Sequence, residues 1–214
     1  MPISLSFRPG TQVDVGACLA LDHECQTDRV WQMTLNAADL NQQVQVGFRV
    51  ETLPRSITLT HAPDPRRLHD DPDLGRLFVV ARPDLPPVPV EPIAPESPDA
   101  PLVLPPPPPR LPILGYVVAH YDEWRGLAWV DDVCVAPNAR RQRAALQMVN
   151  GVRQWAQEQG AARLLCAVPT KHAPMIALCQ KIGMRFCGYN DQFFANHDIA
   201  VLFGLRIARA RRVE

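Results

Sequence analysis

The sequence predicts a single α/β domain. A chain of 214 residues with 47% hydrophobic composition is long enough to bury one sizeable core. Beyond Pro112 its apolar residues switch repeatedly between a period of two and a period of 3.6, the rhythm of strands alternating with helices. One of those segments, Arg140 to Gln159, sets Ala144, Ala145, Met148, Val149, Val152, Trp155 and Ala156 on a single stripe, as a helix packed on a sheet requires.

Taken in order, Ile3, Leu5 and Phe7 alternate with polar neighbours up to Pro9-Gly10, which predicts a short strand and a turn. Val13 to Cys25 reads as a helix. Asn41 to Leu53 places Val44, Val46, Phe48 and Val50 at alternate positions, and Leu77 to Ala81 is a compact apolar run; both predict strands. Between them His61 to Leu74, with Pro63, Pro65 and Pro72, reads as loop. Ile113 to Tyr121 and Leu127 to Val135 form two strands joined by a turn at Glu123 to Gly126. The long helix follows and Gly160 stops it. Then come a strand (Ala162 to Val168), a helix (Ala173 to Lys181, closed by Gly183) and two strands (Met184 to Tyr189, Ile199 to Ile207). From Ile113 the order is β-β-α-β-α-β-β.

Fourteen of the 23 prolines lie between Pro83 and Pro112, five of them in succession from Pro105. Each lacks an N–H and fixes its own φ, so this stretch forms neither helix nor central strand. It is expected to be an extended, partly polyproline II insertion, either loosely docked or contacting a protein partner with an aromatic groove. Lys plus Arg equal Asp plus Glu at 22 each, so no overall field draws the chain to nucleic acid or an anionic membrane. No basic leader precedes an apolar run and no eighteen apolar residues occur in succession, which predicts a soluble, cytoplasmic protein. The six cysteines show neither C-x-x-C nor zinc-finger spacing, so free and mainly buried thiols are expected, with no metal site.

The chemistry concentrates near the long helix. Asn138 to Ala145 carries Arg140, Arg141 and Arg143 at a helix N-terminus, where unpaired N–H groups and the helix dipole favour an anion. The stretch is either a pyrophosphate cradle or a solvated basic turn. Asp131 and Asp132 are either proton acceptors or surface carboxylates; being adjacent on a strand, at most one is expected to face an acceptor.

Val135-Ala136-Pro137-Asn138-Ala139-Arg140-Arg141-Gln142-Arg143-Ala144-Ala145 resembles the coenzyme A signature V-x-P-x-x-R-x-x-G-x-G/A of the GNAT N-acetyltransferase superfamily. Thr170-Lys171-His172-Ala173-Pro174 and Cys179-Gln180-Lys181-Ile182-Gly183-Met184 resemble its later helix. Gly188-Tyr189-Asn190-Asp191 and Asp198-Ile199-Ala200 resemble the streptothricin-acetyltransferase-like branch. The resemblance spans 113–207 best. It implies the GNAT fold, a mixed and mostly antiparallel sheet flanked by helices, with 83–112 in place of a short hairpin loop. It also implies acetyl-CoA as co-substrate and transfer of its acetyl group to a primary amine, on a small molecule or a protein.

Several roles follow from that resemblance. Arg140, Arg141, Arg143 and Ala145 would surround the pyrophosphate, and the backbone N–H groups of Val133 and Val135 would hold the thioester carbonyl and pantetheine. Asp131 or Asp132 would accept the amine's proton. Cys179 stands where the superfamily usually has the tyrosine that protonates the thiolate; it is either a substitute acid or a buried structural thiol. Tyr121 and Tyr189 are other candidates for that acid. His172 stands at a frequent cofactor-contacting asparagine and is either a donor to the cofactor or a surface histidine. Arg143 replaces a glycine that lets the pyrophosphate approach the backbone; its side chain either blocks the approach or binds the phosphate itself. Ala167 replaces a residue often acidic in the branch. The acceptor would meet the N-terminal helices and the loop Asn190 to His197, near Asp191 and Asp198. The alternative reading is a catalytically silent GNAT-like domain acting as a partner module. An exposed terminal strand could pair two copies as a homodimer.

Overall fold

The computed structural model describes residues 4–39, 43–69, 71, 74–84 and 111–208. The predicted proline-rich extended segment therefore lies, apart from its ends, outside the described residues, as does Ile3.

Nine strands and three α-helices are described: β1 (Leu5–Pro9), α1 (Val15–Leu19), β2 (Glu24–Asp39), β3 (Gln43–Thr60), β4 (Arg76–Pro83), β5 (Gly115–Asp122), β6 (Leu127–Val135), α2 (Ala144–Glu158), β7 (Arg163–Pro169), α3 (Ala173–Ile182), β8 (Arg185–Asn190) and β9 (Ala200–Arg206). Seven strands form one sheet in the order β1-β4-β5-β6-β7-β9-β8. Its neighbours are antiparallel except β6 and β7, whose parallel pairing follows from the crossover through α2. β2 and β3 pair only with each other, as a long antiparallel hairpin.

The sheet has two dry faces. On one, α2 and α3 cover Val117, Ala119, Val130, Leu164, Val168 and Phe203. On the other, Val15 and Cys18 of α1 join Leu68, Phe78, Val80, Tyr116 and Val118. Alternate residues of β5 thus serve opposite cores, so this strand is apolar throughout rather than alternating.

Three expectations are corrected. The helix predicted over Val13 to Cys25 is a 3-10 turn at Gln12–Asp14 followed by α1, which is five residues long. Only Val15 and Cys18 of α1 are buried, so it has one apolar anchor per turn and nothing to extend it. Glu24 and Cys25 already belong to β2, a strand with no counterpart among the predicted elements. The strand expected over Asn41 to Leu53 continues to Thr60 as β3, its first two residues lying outside the described set. The long helix begins at Ala144 instead of Arg140, because residues 140–143 form a turn after the 3-10 segment Pro137–Ala139.

The cysteines are free. Cys18, Cys134, Cys166 and Cys179 are buried, Cys25 is half-buried and Cys187 exposed. No helix among the described residues is long and apolar enough to cross a membrane.

Candidate active site

β6 and β7 pair only from Leu127–Arg163 to Val130–Cys166. β6 then continues to Val135 and β7 to Pro169 without pairing, so the sheet splays open in its middle. The departure coincides with a β-bulge: Val118 faces Asp132 while Ala119 faces Val130, leaving Asp131 as the extra residue. The bulge inverts the strand's parity. Ala128 and Val130 face the α2 core, as do Val133 and Val135. Asp131 and Asp132 consequently both project to the opposite face, where they line one cleft of about 200 Å³ with His61, Asp64, Arg67, Leu68 and Val118. The expectation that the adjacent aspartates face opposite sides of the sheet is thereby corrected. It assumed a regular strand, and an inserted residue cancels the alternation.

Both carboxylates are nearly buried, with 11% and 13% of their side chains exposed, and both have partners. Asp131 Oδ2 lies 2.7 Å from His120 Nδ1, and Arg67 is 3.8 Å from its Oδ1. Tyr116 donates its hydroxyl to Asp132 Oδ2 at 2.7 Å, and His61 Nε2 stands 3.3 Å from the same oxygen. Asp132 holds His61 above its ordinary imidazole value, against the opposing effect of burial. Tyr116 is buried beside a carboxylate, which drives its phenol far above the usual range and keeps it a donor.

On the other side of the splay a cleft of about 190 Å³ is lined by Val135, Ala139, Arg140, Arg141, Arg143 and the first turn of α2, with Leu178 and Lys181 from α3. α2 has no side-chain cap, and its first backbone bond is Gln147 N–H to Arg143 C=O, at 2.9 Å. The N–H groups of Ala144, Ala145 and Leu146 precede that bond and point out of the helix end. Arg141 and Arg143 are left-handed, with φ of 62° and 66°, a costly region for any residue with a Cβ. Arg143 thus takes the backbone conformation suited to glycine while its side chain lines the cleft. Arg140 is committed elsewhere: its Nε donates to Val135 C=O at 2.9 Å and its Nη2 to Asp22 C=O at 2.8 Å. It fastens the loop to the turn before β2.

Ala136 N–H bonds to Leu114 C=O on the β5 side, so alternation turns the N–H groups of Val135 and Val133 toward the splay. His172 caps α3: its Nδ1 accepts from Met175 N–H at 3.2 Å, leaving Nε2 to carry the proton, and burial lowers its basicity. Cys179 is fully buried against Cys166 and lines neither cleft; together the Cys179 contact and burial raise the Cys166 thiol well above its ordinary value. Tyr121 packs against the α2 core, and Tyr189 stands edge-on to Phe48 with centroids 5.8 Å apart. Asp198 pairs with Lys171, and Asp191 accepts from Gln192 N–H at 3.0 Å; neither lines either cleft. His61, Arg67, Tyr116, His120 and Lys181 escaped the sequence reading as site residues. Only the fold brings the end of β3, the turn after it and β5 alongside β6.

Residues 110–184 match the Acetyltransferase (GNAT) family. No curated protein matches the chain. Among solved structures the chain is similar to nourseothricin acetyltransferase, with a TM-score of 0.71 at 21% identity over 95% of this chain and 99% of that one. It is also similar to a protein of Bacillus anthracis str. Ames assigned as a streptothricin acetyltransferase, in complex with acetyl coenzyme A, with a TM-score of 0.67 at 14% identity over 97% and 100%. A third likeness is to the ribosomal-protein-S18-alanine N-acetyltransferase of Escherichia coli, with a TM-score of 0.58 at 10% identity over 99% of each chain. The fold is that of the GNAT acyltransferases.

Proposed function

We propose that this chain, whose residues 110–184 belong to the GNAT acetyltransferase family, transfers the acetyl group of acetyl-CoA to a primary amine. The observation that carries the reading is the opening between β6 and β7 with a cationic cleft on one face and a carboxylate cleft on the other. An anionic cofactor and a cationic acceptor entering from opposite faces would meet there.

Acetyl-CoA is the co-substrate in this reading. Its pyrophosphate would lie against the N–H groups of Ala144, Ala145 and Leu146, with Arg141, Arg143 and Lys181 around it. Arg140 contributes by holding the loop. The N–H groups of Val133 and Val135 would bond the pantetheine and polarise the thioester carbonyl, and His172 Nε2 could donate to the cofactor from the cap of α3. Asp131 and Asp132 would attract the acceptor's ammonium. The acceptor amine would belong to a small molecule or a protein. Cytoplasmic location accords with this chemistry.

The burial of Cys179 favours a second reading, a GNAT-like binding module without catalysis, since among the described residues no thiol or phenol lines either cleft to protonate the leaving thiolate. Calorimetric titration with acetyl-CoA separates the two. Saturable binding is expected for the unmodified chain, and Arg143→Ala should weaken it about tenfold through loss of one charged contact. No binding by the unmodified chain, with binding gained in Arg143→Gly but not in Arg143→Ala, would identify the Cβ as the obstruction and leave the silent module.

A further inference from the structure

We infer that the cleft formed by His61, Asp64, Arg67, Asp131 and Asp132 binds the acceptor's ammonium and that His61, held by Asp132, takes its proton. The inference rests on the acetyl-transfer reading and adds a catalytic residue, a positioning residue and a proton route to it.

The geometry assigns the parts. His61 follows β3, and its backbone N–H is held by His23 C=O at 3.4 Å, so the ring leans over the cleft with 55% of its side chain exposed. Its Nε2 faces Asp132 Oδ2 at 3.3 Å, an oxygen that also accepts the Tyr116 hydroxyl at 2.7 Å. Nε2 therefore carries the neutral ring's proton and Nδ1 its lone pair. Tyr116 is itself held by His23, whose Nε2 is 3.2 Å from the phenol oxygen, so Asp132 has little freedom to turn. Asp131 is bound differently, with His120 and Arg67 on its two oxygens, and contributes charge without a proton-accepting partner in the cleft. Asp132 thus orients His61 while the carboxylate pair draws the ammonium in.

The step balances. The ammonium gives one proton to His61 Nδ1, and the freed lone pair forms the N–C bond at the thioester carbonyl. The C–S bond breaks with its electron pair left on sulfur. The attacking nitrogen's second proton ends on that thiolate, and the imidazolium returns its own to solvent. The charged and titratable groups around His61 are Asp131 and Asp132 from β6, Asp64 and Arg67 from the turn after β3, and, behind Asp132, Tyr116 from β5 and His23 from the turn before β2. His172, at the cap of α3, feels the charge of His61, which adds to the effect of burial in lowering its own basicity.

Thiol release from acetyl-CoA with methylamine as acceptor, followed against pH, tests the assignment in the full-length chain. The unmodified protein should gain activity with rising pH along one limb. His61→Gln should lose about 100- to 1,000-fold and the limb with it, and calorimetry should find its acetyl-CoA affinity unchanged. Asp132→Asn should move the limb to lower pH, because His61 loses the charge that raises it. A limb that survives His61→Gln, or one abolished by Asp132→Asn in a folded protein, overturns the role of His61. Nitrogen-15 NMR of the histidine rings reads the same site without turnover and decides wherever methylamine is not acetylated. The neutral His61 should be the Nε2–H tautomer, and methylammonium should lower its titration midpoint where tetramethylammonium does not. An Nδ1–H tautomer, or indifference to methylammonium, overturns the inference. Failure to bind acetyl-CoA would count against the acetyl-transfer reading and leave the ring titration informative.

Discussion

Cys179 sits on α3 with no exposed surface, packed among Cys166, Ile176 and Met184 in the core beneath the helices. A thiol there is a small apolar side chain, and its chemistry has no access to either cleft. Cys179→Ala should therefore leave turnover within about threefold while lowering stability by about 1 kcal/mol, the cost of a small cavity. Denaturant unfolding beside a thiol-release assay checks both, and a hundredfold loss of turnover would restore Cys179 as the acid. This residue also marks how far the sequence was legible. The positions of Arg141, Arg143 and both aspartates could be read because each has a local signature. Their geometry could not. A bulge between Val130 and Asp132 depends on pairing with β5, and the left-handed turns at Arg141 and Arg143 contradict the preference of arginine itself. His61 and Arg67 have no local signature, since they enter the cleft only through the return of β3 toward β6.

At the scale of elements, the strands and helices after Pro112 were legible because their apolar periods are set by one continuous core. Of the hairpin of β2 and β3, the first part of β3 was legible from its alternation and β2 was not. Only part of the hairpin's length packs: Trp31 and Phe48 meet Phe186 with ring centroids 6.4 and 5.4 Å apart, while Leu35 and Val50 are exposed. A strand of 16 residues buried along so little of its length has no sustained alternation to read. The first elements are fastened by charge instead. Asp14, before α1, receives Arg8 of β1 at 2.6 Å and Arg82 of β4 at 3.3 Å, and also accepts from the Thr11 backbone and hydroxyl. The Arg8 guanidinium holds its carboxyl well below the usual carboxylate range. A depressed value means that this stabilisation is complete above the unfolded carboxylate value of about 3.9 and fades as pH falls below it. Asp14→Asn should cost about 3 kcal/mol at neutral pH, at the low end for a broken buried pair because Arg8 is one-third exposed. Urea unfolding at stepped pH should find the gap between the two proteins constant down to about pH 5 and narrowing below pH 4. A gap that does not narrow would mean that the loss comes from packing rather than from charge.

For the molecule as a whole, the question is what the sheet needs from the segment between β4 and β5. Those strands are antiparallel neighbours with Ala81 opposite Gly115, so their ends already lie side by side. Asp84 N–H is bonded to Ser4 C=O at 2.8 Å and Leu114 N–H to Ala81 C=O at 2.8 Å, which anchors both ends in the sheet. Ile113 and Leu114, which follow the segment, are buried. The described residues that line the two clefts come from β5, β6, α2, α3 and the turns after β3 and β6, and the one that borders the join, Val135 opposite Gly115, is held by residues the replacement leaves in place. Replacing residues 85–110 by a four-residue glycine-asparagine turn should therefore preserve the fold and acetyl-CoA affinity. The shorter closure should even raise stability by about 1.5 kcal/mol, the entropy difference between long and short loops. Thermal unfolding and calorimetry on the shortened chain measure both quantities. Unchanged folding and affinity would assign the proline-rich stretch to contacts with other molecules, which a pull-down comparing the two chains would then detect. Collapse of the fold would make it part of the core.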